Sequence, residues 1–141
     1  MIRVDLFLPA YFGSSINEIQ IIFKQLNITI MNNLRNKVSL IGNLGADPEV
    51  KVFESGKKKV KLALATKDSY KNTNGEKVEE TQWHNLIVLG KTAEIAEKYL
   101  QKGSQLAVEG KLTYRSYEDK NGEKKYITEI LVNDLVLLGK K

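Results

Sequence analysis

Residues 81–112, "TQWHNLIVLGKTAEIAEKYLQKGSQLAVEGKL", decide the fold. The opening TQWHNLIVLG is apolar on both faces, which predicts a strand covered on both sides. TAEIAEKYLQKG then predicts a helix. Thr92 can cap it, Glu94 suits its first turn, Lys98 and Lys102 suit the negative end of its dipole, and Gly103 suits its close. Ile95, Ala96, Tyr99 and Leu100 form the expected buried stripe. QLAVEGKLTYRSYE resumes a period of two. Leu106, Val108, Leu112 and Tyr114 are expected inward, and Lys111, Thr113, Arg115 and Tyr117 outward.

Working outward from that centre, the rest of residues 36–138 reads as β. NKVSLIGNLG is a strand ending in a glycine turn, and PEVKVFE is a short piece closed by SGKK. In KVKLALATKD, Val60, Leu62 and Leu64 alternate with Lys61, Ala63, Ala65 and Lys67. The turn-rich YKNTNGEKVEE leads into the opening strand, and DKNGEK makes a hairpin into KYITEILVNDLVLL. Three strands, one helix and two strands is the order of the OB-fold, a five-stranded Greek-key barrel with its helix between strands three and four. The expected class is therefore all-β with one short helix.

Residues 1–30 differ in composition, with three of the four phenylalanines and many isoleucines. Ser15-Ile16-Asn17-Glu18 reads as a capping box, with Ile16, Ile19, Phe23 and Leu26 on one helical face. The many β-branched residues weaken an isolated helix. The expected organisation is a barrel domain over 31–141, starting functionally at Met31, and a non-native or loosely ordered extension over 1–30.

Composition excludes several chemistries. With no cysteine there is no disulfide, thiolate nucleophile or zinc–cysteine site. No apolar run approaches the ~18 residues of a membrane span, and a cytoplasmic location is expected. The net charge is +5. Residues 1–30 hold two basic and two acidic residues, so the whole excess lies in 31–141. A basic excess of this kind suits nucleic acid or an anionic surface.

Gly90-Lys91-Thr92 imitates the end of a phosphate-binding loop, but the glycine such a loop needs five residues before Gly90 is Asn85, inside a strand. His84 is the only histidine, and no spacing supplies it with a nucleophile or an orienting acid. It is expected as a packed or interface residue. No catalytic site, metal site or cofactor is expected, and the chain is read as a non-enzyme. What survives is a set of rings among cations. Tyr70 stands between Lys67 and Lys71, Tyr117 follows Arg115 on an outward face that also carries Lys111, and Trp83 heads the central strand. Flat rings offer a face to any base and lysines neutralise phosphates, a pairing that binds single strands with little sequence preference. Tyr99 and Tyr114 are expected as core residues. For Tyr70 and Trp83, core and platform remain equally open.

NKVSLIGNLGADPEV, LATKDSY, TQWHNLIVLGK, AEKYLQKGSQLAVEGKL and ITEILVNDLVLLG, in that order over about residues 33–139, resemble bacterial single-stranded DNA-binding protein. The resemblance implies an OB barrel, usually homotetrameric, that holds single-stranded DNA in replication, recombination and repair. It implies a stacking role for Trp83, and for Tyr70 and Tyr117 where many relatives have tryptophan. Leu89 falls where relatives often have phenylalanine. Lys37, Lys91, Lys102 and Arg115 match basic positions along the DNA path; Lys67 and Lys111 join them from the pattern above. Asn85 replaces a common arginine, and His84 matches a histidine near the subunit interface. The family usually continues into a Gly/Pro/Gln-rich linker and an acidic tip that recruits repair and replication enzymes. This sequence ends at LLGKK, without that linker and tip, so recruitment of replication and repair proteins by that route is left open. The other functions weighed are an OB-fold accessory protein of replication restart acting mainly through protein partners, an RNA-binding OB domain, and a small hydrolase.

Overall fold

The computed structural model describes residues 16–140, and divides them into a helical unit ending at Arg35 and a β unit beginning at Asn36. The helix α1, Ile16–Arg35, runs without a break through residues 30 and 31. Glu18 in its first turn and Arg35 in its last both complement the helix dipole. Ser15, the expected cap, lies outside the described residues, as does the rest of 1–15. No described helix is long and apolar enough to cross a membrane.

The β unit contains β1 (Val38–Leu44), β2 (Glu49–Val52), β3 (Lys58–Lys71), β4 (Lys77–Leu89), α2 (Gly90–Tyr99), β5 (Ser104–Glu118) and β6 (Lys124–Lys140). The strands lie in the order β1-β5-β6-β4-β3, and β1 pairs with β3 at Asn43↔Ala65 and Leu44↔Leu64 to close the ring. β4 meets β6 in parallel at Leu86↔Ile130 and Ile87↔Leu131; the other pairings are antiparallel. This is the expected five-stranded OB barrel. β2 stands outside the ring, on the free edge of β3.

The period of two fills the barrel. Val60, Leu62 and Leu64 from β3, Leu86 and Val88 from β4, and Leu106 and Val108 from β5 are buried together with Ile130. Each such side chain contributes about 1.5–3 kcal/mol on burial. Ile87 faces the other way and is also buried, beside Leu131 across the parallel pair. That accounts for a β4 sequence apolar on both faces. The barrel closes tightly at two glycines. A Cβ on Gly42 would stand 2.2 Å from the Ala65 carbonyl oxygen, and one on Gly110 2.2 Å from that of Leu131.

The structure corrects three local expectations. α2 begins at Gly90, with Leu89 at its N-cap and no side-chain cap bond, so Thr92 lies inside the helix and Glu94 beyond its first turn. Its buried residues are Ala93 and Ala96, with Leu100 buried at its C-cap, whereas Ile95 is exposed and Tyr99 is 58% exposed. The mouth of a small barrel admits alanines and leaves the bulky neighbouring face in solvent. Tyr114 is 72% exposed and Leu112 partly exposed. Both keep the inward phase, but β5 and β6 run on past the barrel, where that phase no longer has a core to meet.

Candidate nucleic-acid interface

Residues directly opposite in a ladder share a face. In the β3–β4 hairpin this sets Ala65 beside Trp83, Lys67 beside Thr81, and Lys59 beside Leu89. Trp83, Leu89 and Lys67 therefore stand on one outward face, opposite in phase to the core row Leu62–Leu86. Trp83 is 63% exposed. Its ring rests on the turn after β1, where a Cβ on Gly45 would lie 2.3 Å from Cζ3 and 2.5 Å from Cη2. The Gly45 N–H donates to the Ala63 carbonyl at 3.0 Å, fixing that turn against β3. The ring is thus supported from beneath and open above.

Tyr70 belongs to the other phase. It pairs with Val78, and its hydroxyl donates to the Glu80 carboxylate at 3.3 Å. It is exposed all the same, because this end of the hairpin also projects beyond the core. Tyr117 is exposed on β5, in phase with Lys111 and Arg115.

The expected cations divide into free and engaged. The Arg115 guanidinium is bonded to the carboxylate of Glu129, which is only 4% exposed. Lys37 Nζ lies 3.2 Å from Glu109 Oε1. Lys67, Lys91, Lys102 and Lys111 have no acidic side chain within ion-pair distance among the described residues. Lys91 sits in the first turn of α2. The backbone N–H of Lys102 donates to Asp47 Oδ1 at 2.8 Å, tying the turn after α2 to the loop after β1. His84 is half-buried, with Nε2 2.9 Å from Thr66 Oγ1. It is thereby a packed, hydrogen-bonded side chain. Among the described residues no group of three or more His, Cys, Asp or Glu side chains could hold a metal ion.

The single-strand binding protein family model matches residues 35–138. The chain belongs to this family. Among its relatives, single-stranded DNA-binding protein 1 of Xylella fastidiosa is 46% identical over 107 residues, 75% of this chain and 79% of that protein. The single-stranded DNA-binding protein of Bacteroides thetaiotaomicron is 46% identical over 108 residues, covering 75% of this chain and 67% of that one. Among solved structures, a Plasmodium falciparum member in complex with single-stranded DNA superposes with a TM-score of 0.66 at 34% identity, over 73% of this chain and 94% of that one. A deletion mutant of the Thermus aquaticus protein gives 0.64 at 34% identity, over 73% of this chain and half of that one.

Within this single-strand binding barrel, four exposed rings went unread in the sequence. Tyr99 and Tyr114 were expected in the core, and Phe53 and Tyr126, the latter 74% exposed, were not considered. Lys124 Nζ lies 5.5 Å from the Tyr126 ring centroid. The ring-among-lysines pattern of KKYITEI was the signal that could have found Tyr126.

Proposed function

We propose that this chain binds single-stranded DNA with little sequence preference and without catalysis, as a protector of unpaired strands in bacterial replication, recombination and repair. The observation that carries this is Trp83, a ring mostly in solvent and propped on Gly45, sharing its outward face with Lys67 and Leu89. Trp83, Tyr70 and Tyr117 stack on bases, and Leu89 offers a weaker apolar contact. Lys67, Lys91, Lys102 and Lys111 neutralise phosphates, with Lys37 and Arg115 joining by exchanging their carboxylate partners. The binding unit is residues 31–141, with 1–30 an extension to it, acting in the cytoplasm at the nucleoid. Because Trp83 is the only tryptophan, titration with oligo-dT at low salt should quench the emission, and duplex DNA of equal length should do so far less. Unchanged emission at saturating strand would refute the stacking role.

The working form is a homotetramer. Ile41, Ala107 and Val136 form a register row across the outer face of β1, β5 and β6. Ile41 and Val136 are exposed, over a depression of about 490 Å³. β1 pairs with β3 only at Asn43 and Leu44, leaving the edge of Val38–Ile41 open on that side. A second copy of this chain would cover such an apolar row and open edge. Ile41→Glu should therefore lower the mass seen by light scattering. An unaltered mass would remove this face from the assembly.

A further inference from the structure

The stretch KKKVK, Lys57–Lys61, is not explained by the residues assigned above. The strand phase splits it. Lys58 points to the helix side, where Nζ meets Glu97 Oε2 of α2 at 2.7 Å. Lys59 and Lys61 take the outward phase of Trp83 and Leu89, and β2 extends that face by one more strand. Lys51 lies directly opposite Lys59, and Glu49 opposite Lys61. The row Lys51–Lys59–Leu89 thus crosses β2, β3 and β4. None of Lys51, Lys59 and Lys61 makes an ion pair among the described residues. Two like charges directly opposite on a ladder destabilise the pairing. Lys51 stands on a four-residue strand that is exposed throughout, and Lys59 faces it from β3. An anion between them relieves that repulsion.

Beside them is a ring. Phe53 is exposed, follows Lys51 by two residues, and carries Lys51 Nζ 5.5 Å from its centroid. Its backbone N–H donates to the Lys57 carbonyl at 2.9 Å, so the turn that ends β2 fixes its position. Lys51, Lys59 and Lys61 also border a depression of about 240 Å³. A ring, a pair of unneutralised ammonium groups and a concavity thus stand together on the Leu89 side.

We propose that Phe53, Lys51, Lys59 and Lys61 form an additional subsite for single-stranded DNA, which carries the strand past Leu89 onto β2. Phe53 stacks on a base and Lys51 and Lys59 share a phosphate, while Glu49 repels the backbone from the far end of β2 and so directs it toward Phe53. Lys61, opposite Glu49, contributes less than Lys59. The proposal rests on the single-strand binding proposed above and extends its path.

The test uses the full chain and oligo-dT, with Trp83 emission reporting the primary site and a second readout reporting the subsite. With a long oligo-dT strand bound, Lys51 and Lys59 should become protected from amine acylation, as Lys67 does. In Phe53→Ala/Lys51→Ala/Lys59→Ala the Trp83 quench should persist. Its log–log salt dependence should become shallower by about 0.7 to 1.4, for one or two phosphates. Affinity for the long strand should fall about tenfold or more, as expected when a stacked base and a phosphate contact are lost. Lys51→Arg/Lys59→Arg should keep the salt slope. Equal acylation of Lys51 and Lys59 with and without strand, while Lys67 is protected, would overturn the subsite and leave the primary reading standing. Absence of quench in the unaltered chain would overturn the primary reading itself.

Discussion

Gly45→Ala isolates the support beneath Trp83. The added Cβ would stand 2.3 Å from Cζ3 and 2.5 Å from Cη2. Carbon atoms rest at about 3.5–4.0 Å, so the ring has to retreat by roughly 1.2–1.7 Å. It can do so, because those atoms are the far end of an exposed side chain and not backbone. Gly45 itself has no positive φ to defend. Stability should therefore change by no more than about 1 kcal/mol, since an alanine also narrows the unfolded ensemble. The displaced ring loses its alignment with a base, which is worth about 1–3 kcal/mol, or about 5- to 150-fold in affinity. Gly42→Ala is the contrast. Its Cβ would meet the Ala65 carbonyl oxygen at 2.2 Å, where β1 closes on β3, and neither backbone can yield. The assay is three measurements on each variant: Trp83 emission without DNA, the denaturation midpoint, and oligo-dT titration. Gly45→Ala should shift the emission and weaken binding while remaining folded, and Gly42→Ala should unfold. If Gly45→Ala unfolds like Gly42→Ala, or leaves both emission and affinity untouched, Trp83 is not a platform held on that turn.

Three further outcomes follow from the charges. Lys67→Ala removes an exposed, unpaired cation from the Trp83 face; the salt dependence of oligo-dT binding should become shallower by about 0.7, with the denaturation midpoint unchanged. Arg115→Ala strands the buried Glu129 carboxylate without its partner, so urea denaturation should show a loss of about 1–3 kcal/mol; an unchanged midpoint would mean that Glu129 has found water or another donor. Lys58 is held above its ordinary pKa of 10.5, chiefly by its hydrogen bond to Glu97 and then by that carboxylate's charge. A cation whose folded value is raised contributes its stability below the unfolded value and loses it as pH climbs through the folded one. The midpoint difference between the native chain and Glu97→Gln should therefore be present at neutral pH and close only above about pH 10.5.

Much of this was legible in sequence because a barrel strand repeats with a period of two. Val60, Leu62 and Leu64 announced their phase, and the helix between β4 and β5 announced the topology. The helix face was misread because it was judged by size. Ile95 and Tyr99 are the larger residues, but the barrel end accepts Ala93 and Ala96. β2 was visible as a separate piece, yet its pairing with β3, which brings Lys51 beside Lys59, exists only in the register. The engagement of Arg115 by Glu129 was hidden for the same reason, since those residues meet across β5 and β6.

Tyr114 shows where a period stops carrying information. Its phase is that of Leu106 and Val108, separated from them by the irregularity at Glu109/Gly110, and the sequence pattern alone extends the core to it. Alternation reports which side a residue takes, whereas burial also needs something on that side. The hairpins β3–β4 and β5–β6 outrun the barrel, so at their tips both phases are wet. For a single-strand binder that surplus length is productive. A ring at a hairpin tip can stand on either face without removing a core contact, as Tyr70 and Tyr117 do from different strands. Changes at these tips should then alter DNA affinity nearly independently of stability, whereas Leu62→Ala, in the closed part of the same β3, should cost about 2–5 kcal/mol and take binding down only by unfolding the barrel. Should Tyr117→Ala instead lower stability as much as Leu62→Ala, the β5–β6 tip would be part of the core and its ring could not be a platform.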